Sequence, residues 1–511
     1  MLISSIIAAI FIFGLTIYER WRWRVDYQQA TWQTWLTFPL ALCYVWASLI
    51  APWWLKIIMA LIFTLAILTD YGYRAAFQRP FTPQDIITIF TPLDLEIGHD
   101  AMSMYFDRWL LPPIIAYFIL LTLPLAPPQP LYANLILLAM LIGHAMLYPV
   151  SSPTFPTVSM ASFCRALIFT LGELMTEDNS PRQPLTFRAE TAPRHNIIFI
   201  VDESVRADHL SLNGYHRPTT PYLESLAQRG LLYNWGMAMA CAPCSLLSNN
   251  LLLCGLHQLP DPDFQHKKWP TLFQYAKAMG YQTHWFNATS NQFWLGTRHD
   301  KQHVDHWWPR SAFQTEPRYD IDFTLARQLA THLSESTGHF IWVNKRGLHF
   351  DYNSHYPAPQ ATWTPTQFDP KNQATIANSY DNALRYNLDT FFQTLLESNL
   401  LQNSTIIYTS DHSQTLSEHG ETWTHCYGQP NELGVPLFML TAQPQHLDTR
   451  YPASHCNIFA TLLDLMGVPP EQRAHPYAPS LLTAHAHNAL PRRYFHGDLR
   501  GRWHAQWLPF D

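Results

Sequence analysis

The 511 residues carry 32 Lys and Arg against 38 Asp and Glu, a formal net charge of -6, which excludes the basic footprint of a nucleic-acid-binding protein. Hydrophobic residues make up 48% and charged residues 14%, an apolar balance for a soluble enzyme in a chain long enough for two or three domains. The 25 His and 19 Trp suit a membrane-attached metalloenzyme, with imidazoles as ligands and indoles at the interface.

Before residue 150 the apolar residues lie in long runs, and after 194 they are broken up in the globular manner. Residues 1–18 are an apolar run followed by Glu19 and the alternation Arg20, Trp21, Arg22, Trp23, Arg24. A cleavable signal carries its charge before the apolar stretch and small residues after it, so the run reads as an uncleaved transmembrane helix. Further runs at 37–54, 55–69, 109–125 and 131–150 bring the expectation to about five spans and a transmembrane domain over 1–150. An odd number of spans places the two ends on opposite sides of a bilayer. Arg20, Arg22, Arg24, Arg74, Arg79 and Arg108 fall in or beside loops that the positive-inside rule assigns to the cytoplasm, which would keep the C-terminal part there too. Between spans, 83–90 and 93–97 are patterned for an interfacial amphipathic helix or a connector resting on headgroups.

Residues 151–194 are rich in Pro, Ser and Thr and predict a linker with a bridging helix at 161–175, where Arg165 and Glu173 oppose membrane insertion. From His195 strands and helices alternate. Helices are expected at 221–229, 271–279, 322–336, 375–398 and 457–466, and strands at 282–287, 339–344, 406–409 and 436–440. The pattern predicts one α/β domain over 195–511, a mostly parallel sheet between helices.

Two strands carry the chemistry. In N-I-I-F-I-V-D-E-S-V-R-A-D at 196–208, Ile197 to Val201 reads as a strand buried on both faces, and polarity flips at Asp202 and Glu203. Open α/β sheets place ligands beyond the carboxyl ends of their strands. Near the other end S-T-I-I-Y-T at 404–409 runs into Ser410, Asp411 and His412. If both strands are central and parallel, Glu203, Asp411 and His412 share one rim and form an oxygen-and-imidazole set suited to zinc. Helix capping is the plainer use of acidic residues at strand ends. Seven cysteines include Cys241 and Cys244 in a lone C-x-x-C, so a zinc ribbon is not expected.

Glu203 to Asp208, with L-S-L-N-G-Y at 210–215 and Thr219-Thr220-Pro221, resembles the phosphoethanolamine transferases, membrane members of the alkaline phosphatase and sulfatase superfamily. Asp411-His412, Ser417-Glu418-His419-Gly420 and His425 are similar to that family's second signature, and the likeness covers most of 195–470. The resemblance implies a nucleophile in A-C-A-P-C-S-L-L-S at 240–248, where Ser245 stands at the family's threonine. It implies Glu203, Ser245, Asp411 and His412 as ligands of one or two zinc ions. His349 and His425 would bind substrate phosphate or a second metal, and Asp202 would support the site or ligate. Read from charge, Arg206, Lys345 and Arg346 are cations that suit neutralising the phosphate, with ordinary salt bridges as the plainer use. Type I sulfatases carry C-x-P-x-R with a modified Cys, but here Ser245 replaces the Arg, so Cys241 is expected to be structural, bridged to Cys244 or another cysteine.

The implied reaction is metal-dependent transfer of phosphoethanolamine from phosphatidylethanolamine to a cell-envelope glycan or lipid, such as lipopolysaccharide, through a phosphoserine. The implied location is a bacterial inner membrane, multi-pass, with the catalytic domain in the periplasm, against the arginine count. The alternatives are a membrane-anchored sulfatase or phosphodiesterase, and a catalytically inactive lipid-binding relative.

Overall fold

The strand Asn196–Asp202 (β1) is buried along its whole length and lies at the centre of a seven-stranded sheet. The computed structural model describes residues 2–23, 32–77, 108–123, 131–136, 181–257, 265–366, 372–418, 425, 428–496 and 506–510. The chain divides into two units, Met1–Asp178 and Asn179–Asp511.

In the second unit the sheet comprises β1, Leu232–Met239 (β2), Gln282–Asn287 (β3), His306–Trp308 (β4), His339–Asn344 (β5), Ser404–Ser410 (β6) and Gly434–Leu440 (β7), in the order β2-β7-β6-β1-β5-β3-β4. From β4 to β6 neighbouring strands are parallel, while β7 runs antiparallel to both β6 and β2. A mostly parallel sheet was the expectation, and its cause is visible in β1, β5, β6 and β7, every residue of which is buried. Each fully buried Ile or Val in such strands contributes about 1.5–3 kcal/mol. Sequence pattern missed β2 because Asn234 and Gly236 interrupt its apolar run, at the point where the register with β7 shifts. It missed β4, only three residues long, and the ribbon Arg493–His496 (β8) with Gln506–Pro509 (β9).

The long helix expected at 375–398 is broken into Gln373–Leu384, a π-turn at Arg385–Asp389 and Thr390–Leu395. The turn has employment for its polar groups: Asp389 accepts from the Tyr222 and Leu223 amides, and Asn387 receives Lys345. Residues 181–194, expected as linker, run along the second unit, fixed by a buried Arg182–Asp300 pair and by Leu185 and Phe187 against the core.

The first unit contains Leu2–Trp23 (α1), Trp32–Ile50 (α2), Trp53–Phe77 (α3) and Leu111–Thr122 (α4). Tyr44 donates to the Met59 carbonyl and Ser48 meets Tyr117, while Phe63 stacks on Tyr117. Outward faces are also apolar, with Ile10 66% and Phe13 63% exposed. Among the described residues no helix is long and apolar enough to cross a membrane, so the expected five spans are not found as such. The expected fifth is described only over 131–136, and the segments at 83–97 and 161–175 lie outside the described residues.

Candidate active site

Pairing of β1 with β6 places Asp202 opposite Ser410 and therefore brings both strand ends to one rim. The Asp411 amide donates to the Asp202 carbonyl at 2.8 Å, extending the ladder one step past the strands. Glu203 and Asp411 follow, 9% and 2% exposed. Ser204 turns the chain with a positive φ of 61°, a strained conformation for a serine, and its amide and hydroxyl reach Asp411 and Glu203 respectively.

Ser245 arrives from elsewhere. It is the first residue of the helix Ser245–Cys254 (α5), whose N-cap is Cys244 and not Ser245. Its hydroxyl is thereby free of capping and lies 3.1 Å from Glu203 Oε2 and 3.0 Å from His412 Nε2. Cys244 is disulfide-bonded, whereas Cys241 is a buried free thiol. The expected bridge at Cys241 is therefore corrected: that side chain packs into the core beside Ser248, and burial pushes its thiol well up.

The tautomer of His412 follows from its surroundings. Nδ1 lies 2.7 Å from the Ser413 carbonyl, which only accepts, so Nδ1 carries the proton and Nε2 presents a lone pair. Burial lowers the His412 pKa. Burial works to raise Glu203, but His412 and His349 outweigh it and hold that carboxyl below its usual range. Asp411 is driven well above its range by burial and by the Glu203 charge. Glu203 Oε2 and His412 Nε2 thus compete for the single Ser245 proton, and among the described residues the Glu203 and Asp411 carboxyls share one ion-pair partner, the His412 ring. A shared cation removes both conflicts.

His425 strengthens the fit. Its ring centroid is 4.2 Å from that of His412, its Nδ1 is buried with no hydrogen-bond partner among the described residues, and Glu203, His412 and His425 can direct ligand atoms within 4.8 Å of one another. His349 completes the group, 5.8 Å from His425 between ring centroids, with Nδ1 at the Phe350 carbonyl. Ser245, Glu203, Asp411, His412, His425 and His349 are therefore brought together.

Two of the expected phosphate-binding cations are engaged elsewhere. Lys345 is fully buried, and its three N–H groups go to Asp202 Oδ2 at 2.6 Å and to the Asn387 carbonyl and side-chain oxygens. Arg206 forks onto Asp208 and also meets Glu418 and the Gln414 carbonyl. Asp202 accepts from Lys345, Tyr408 and the Glu203 amide, a supporting position behind the ligands. Residues 419–424 of the second signature, His419 and Gly420 among them, lie outside the described residues.

Sequence reasoning missed several supports. Tyr380 accepts from the Arg206 amide and donates to the Ser204 carbonyl. Asp322 takes the amides of Arg346 and Gly347, and Asn249 joins Asn344 to the Ser245 carbonyl. Only Gly347 offered a local signal. With φ +58° it passes so close to the β1 end that a Cβ would lie 2.4 Å from Asp202 Oδ1 and 2.6 Å from the Glu203 nitrogen.

A sequence profile described as Sulfatase matches residues 195–468. Kdo(2)-lipid A phosphoethanolamine 7''-transferase of Escherichia coli K12 is 26% identical over 270 residues, 50% of this chain and 45% of that protein. Phosphatidylethanolamine transferase Mcr-1 of Escherichia coli is 24% identical over 310 residues, 53% of each. The chain spans about half the length of the curated relatives it matches. Among solved structures, the integral membrane protein lipooligosaccharide phosphoethanolamine transferase A (EptA) of Neisseria meningitidis superposes with a TM-score of 0.63 at 17% identity, over 84% of this chain and 88% of that one. The zinc complex of the periplasmic domain of EptC from Escherichia coli gives 0.53 at 20% identity, over 64% and 96%. At these identities the likeness establishes a common fold.

Proposed function

The chain belongs to the sulfatase family, and from that premise we propose that Ser245 takes phosphoethanolamine from phosphatidylethanolamine and passes it to an envelope lipid or glycan. The observation that carries this is the contact of one helix-initiating hydroxyl with both Glu203 and His412. Glu203, Asp411 and His412, with Ser245 itself, would hold a zinc-class cation, and His425 would stand beside it. Such a cation lowers the pKa of a bound hydroxyl and balances charge on the phosphoryl group.

The chain's own residues would do the rest. Glu203 and His412 keep Ser245 in one orientation, and α5 aims its N-terminal amides at the same point, where a phosphoryl oxyanion is favoured. The Ser245 oxygen bonds to phosphorus as the bond from phosphorus to the diacylglycerol oxygen breaks. The proton that Ser245 donates toward Glu203 is the one the departing diacylglycerol oxygen takes up, and His349 and His425, 5.8 Å apart between ring centroids, would bind the phosphoryl oxygens. Attack by the acceptor hydroxyl on the same phosphorus then releases Ser245. Lys345 and Arg206 serve as positioning residues in this reading, Lys345 through Asp202 and Arg206 through Asp208 and Glu418.

The proposed setting is the inner membrane, with the first unit in the bilayer and the second in the periplasm. The outward apolar faces of α1 and α4 support a lipid environment, since Ile3, Ile10, Phe13, Ile115 and Ile119 are exposed. A disulfide at Cys244 supports an oxidising compartment. A C-terminal reporter active only in the periplasm is expected; one active in the cytoplasm overturns the orientation.

The deciding experiment is mass analysis of the full chain after exposure to phosphatidylethanolamine. A phosphoethanolamine adduct on Ser245, lost in Ser245→Ala and after chelation and regained with zinc, is expected. Turnover of the donor by folded, zinc-supplied Ser245→Ala at the wild-type rate overturns the role of Ser245.

A further inference from the structure

At the amino-terminal ends of β3, β4 and β5 the second unit carries a different cluster. His284 lies on β3, His306 begins β4, His339 begins β5, and His332 comes from the helix Ile321–Glu335 (α6). Register explains the meeting: His339 pairs with Gln282 and His284 with His306, so His284 and His339 share one face of the sheet at alternate positions. The candidate active site lies beyond the opposite ends of the strands. The five steps from His339 to Asn344 separate the two by about 17 Å along β5.

The rings are packed as a group. Centroids of His284 and His332 are 4.5 Å apart, those of His332 and His339 4.8 Å, and those of His284 and His339 4.9 Å. One ligand nitrogen from each of the three can be placed within 4.8 Å of the others. His284 Nε2 lies 3.0 Å from His339 Nδ1, and His339 Nε2 lies 2.7 Å from the Ser336 hydroxyl. His284 Nδ1 is left buried with no hydrogen-bond partner among the described residues, in a side chain that is 0% exposed.

We propose that His284, His332 and His339 form a second metal site, taking a zinc-class divalent cation that joins α6 to β3 and β5. Three imidazole nitrogens without a carboxylate select borderline cations over magnesium and calcium, which require oxygen ligands. A tetrahedral ion keeps one further position, open to water or to the exposed His306, whose ring stacks 4.8 Å from His284. Histidines that serve only as core packing need no such convergence, and a buried ring nitrogen without a partner is costly to keep. The site stands apart from the proposed transfer reaction and does not depend on it.

The test is Zn2+ uptake by the full chain, measured by elemental analysis after removal of free metal. His332→Gln, at a partly exposed position, is expected to bind about one equivalent less than wild type and to keep the principal metal and its Ser245-dependent adduct. Equal zinc content in folded wild type and His332→Gln overturns the proposal. Should His332→Gln fail to fold, the combined variant His349→Gln, His412→Gln and His425→Gln removes the imidazoles of the principal site instead. That folded variant is expected to bind Cu2+ with nitrogen hyperfine structure from several imidazoles, and a variant that binds no copper overturns the proposal.

Discussion

The hydroxyl of Ser245 lies 3.0 Å from Nε2 of His412, the one ring nitrogen of that residue left without a proton by the Ser413 carbonyl. The contact joins the start of α5 to the end of β6, remote in sequence, and gives the serine a fixed direction. His412→Gln is expected to lose the principal metal and to lower adduct formation, whereas Ser245→Ala keeps the metal through Glu203, Asp411 and His412. Transfer in Ser245→Ala should fall by about 10³-fold or more. Metal content and single-turnover rates on both variants check the division; metal loss in Ser245→Ala alone would reverse it.

Lys345 and Asp202 form an ion pair with side chains 0% and 1% exposed. Lys345→Met should cost about 3–5 kcal/mol of unfolding free energy, because it leaves a buried carboxylate without its partner. Adding Asp202→Asn should restore part of the loss. A double-mutant cycle in urea measures the coupling, and additive losses would show that the pair is not a unit.

At Gly347 both the left-handed φ and the neighbouring Asp202 and Glu203 atoms oppose a side chain. Gly347→Ala is expected to destabilise by about 1–3 kcal/mol and to weaken metal binding by shifting Glu203. A thermal melt with and without zinc separates these effects; an unchanged response to zinc would confine the damage to the loop.

His455 is buried, with Nδ1 near the Cys241 amide and the Ser248 hydroxyl and Nε2 near that of Thr409. Burial takes its pKa from 6.5 down to about 3. Between those values the unfolded chain binds the proton more tightly, so this contribution is full above pH 6.5 and is lost as pH falls toward 3. His455→Gln should flatten the decline of stability over that window. Urea midpoints at pH 7, 5 and 4 test it, and an unchanged slope would assign the acid response to other groups.

Within the chain, Ile197 to Val201 was legible as a central strand because β-branched and aromatic residues in a short run fit a sheet covered on both faces. Glu203, Asp411 and His412 were legible because chemistry gathers where such strands end, and a family likeness pointed to Ser245. The π-turn at Arg385–Asp389 was not legible, since local propensity favours a continuous helix and the opposing demands of Lys345, Tyr222 and Leu223 come from distant segments. Lys345 and Arg206 read as phosphate ligands from their charge alone. Their direction is set by Asp202, Asp208 and Glu418, and the burial of Lys345, Asp202 and Arg206 gives those pairings their weight.

The sequence by itself determined the alternating α/β pattern, the acidic strand ends and the supply of imidazoles. Tertiary structure decided which imidazoles meet, sending His412, His425 and His349 to one rim and His284, His332 and His339 to the opposite strand ends. The physical reason is register: side-chain face and strand end follow from pairing between segments far apart in sequence, which no local pattern encodes.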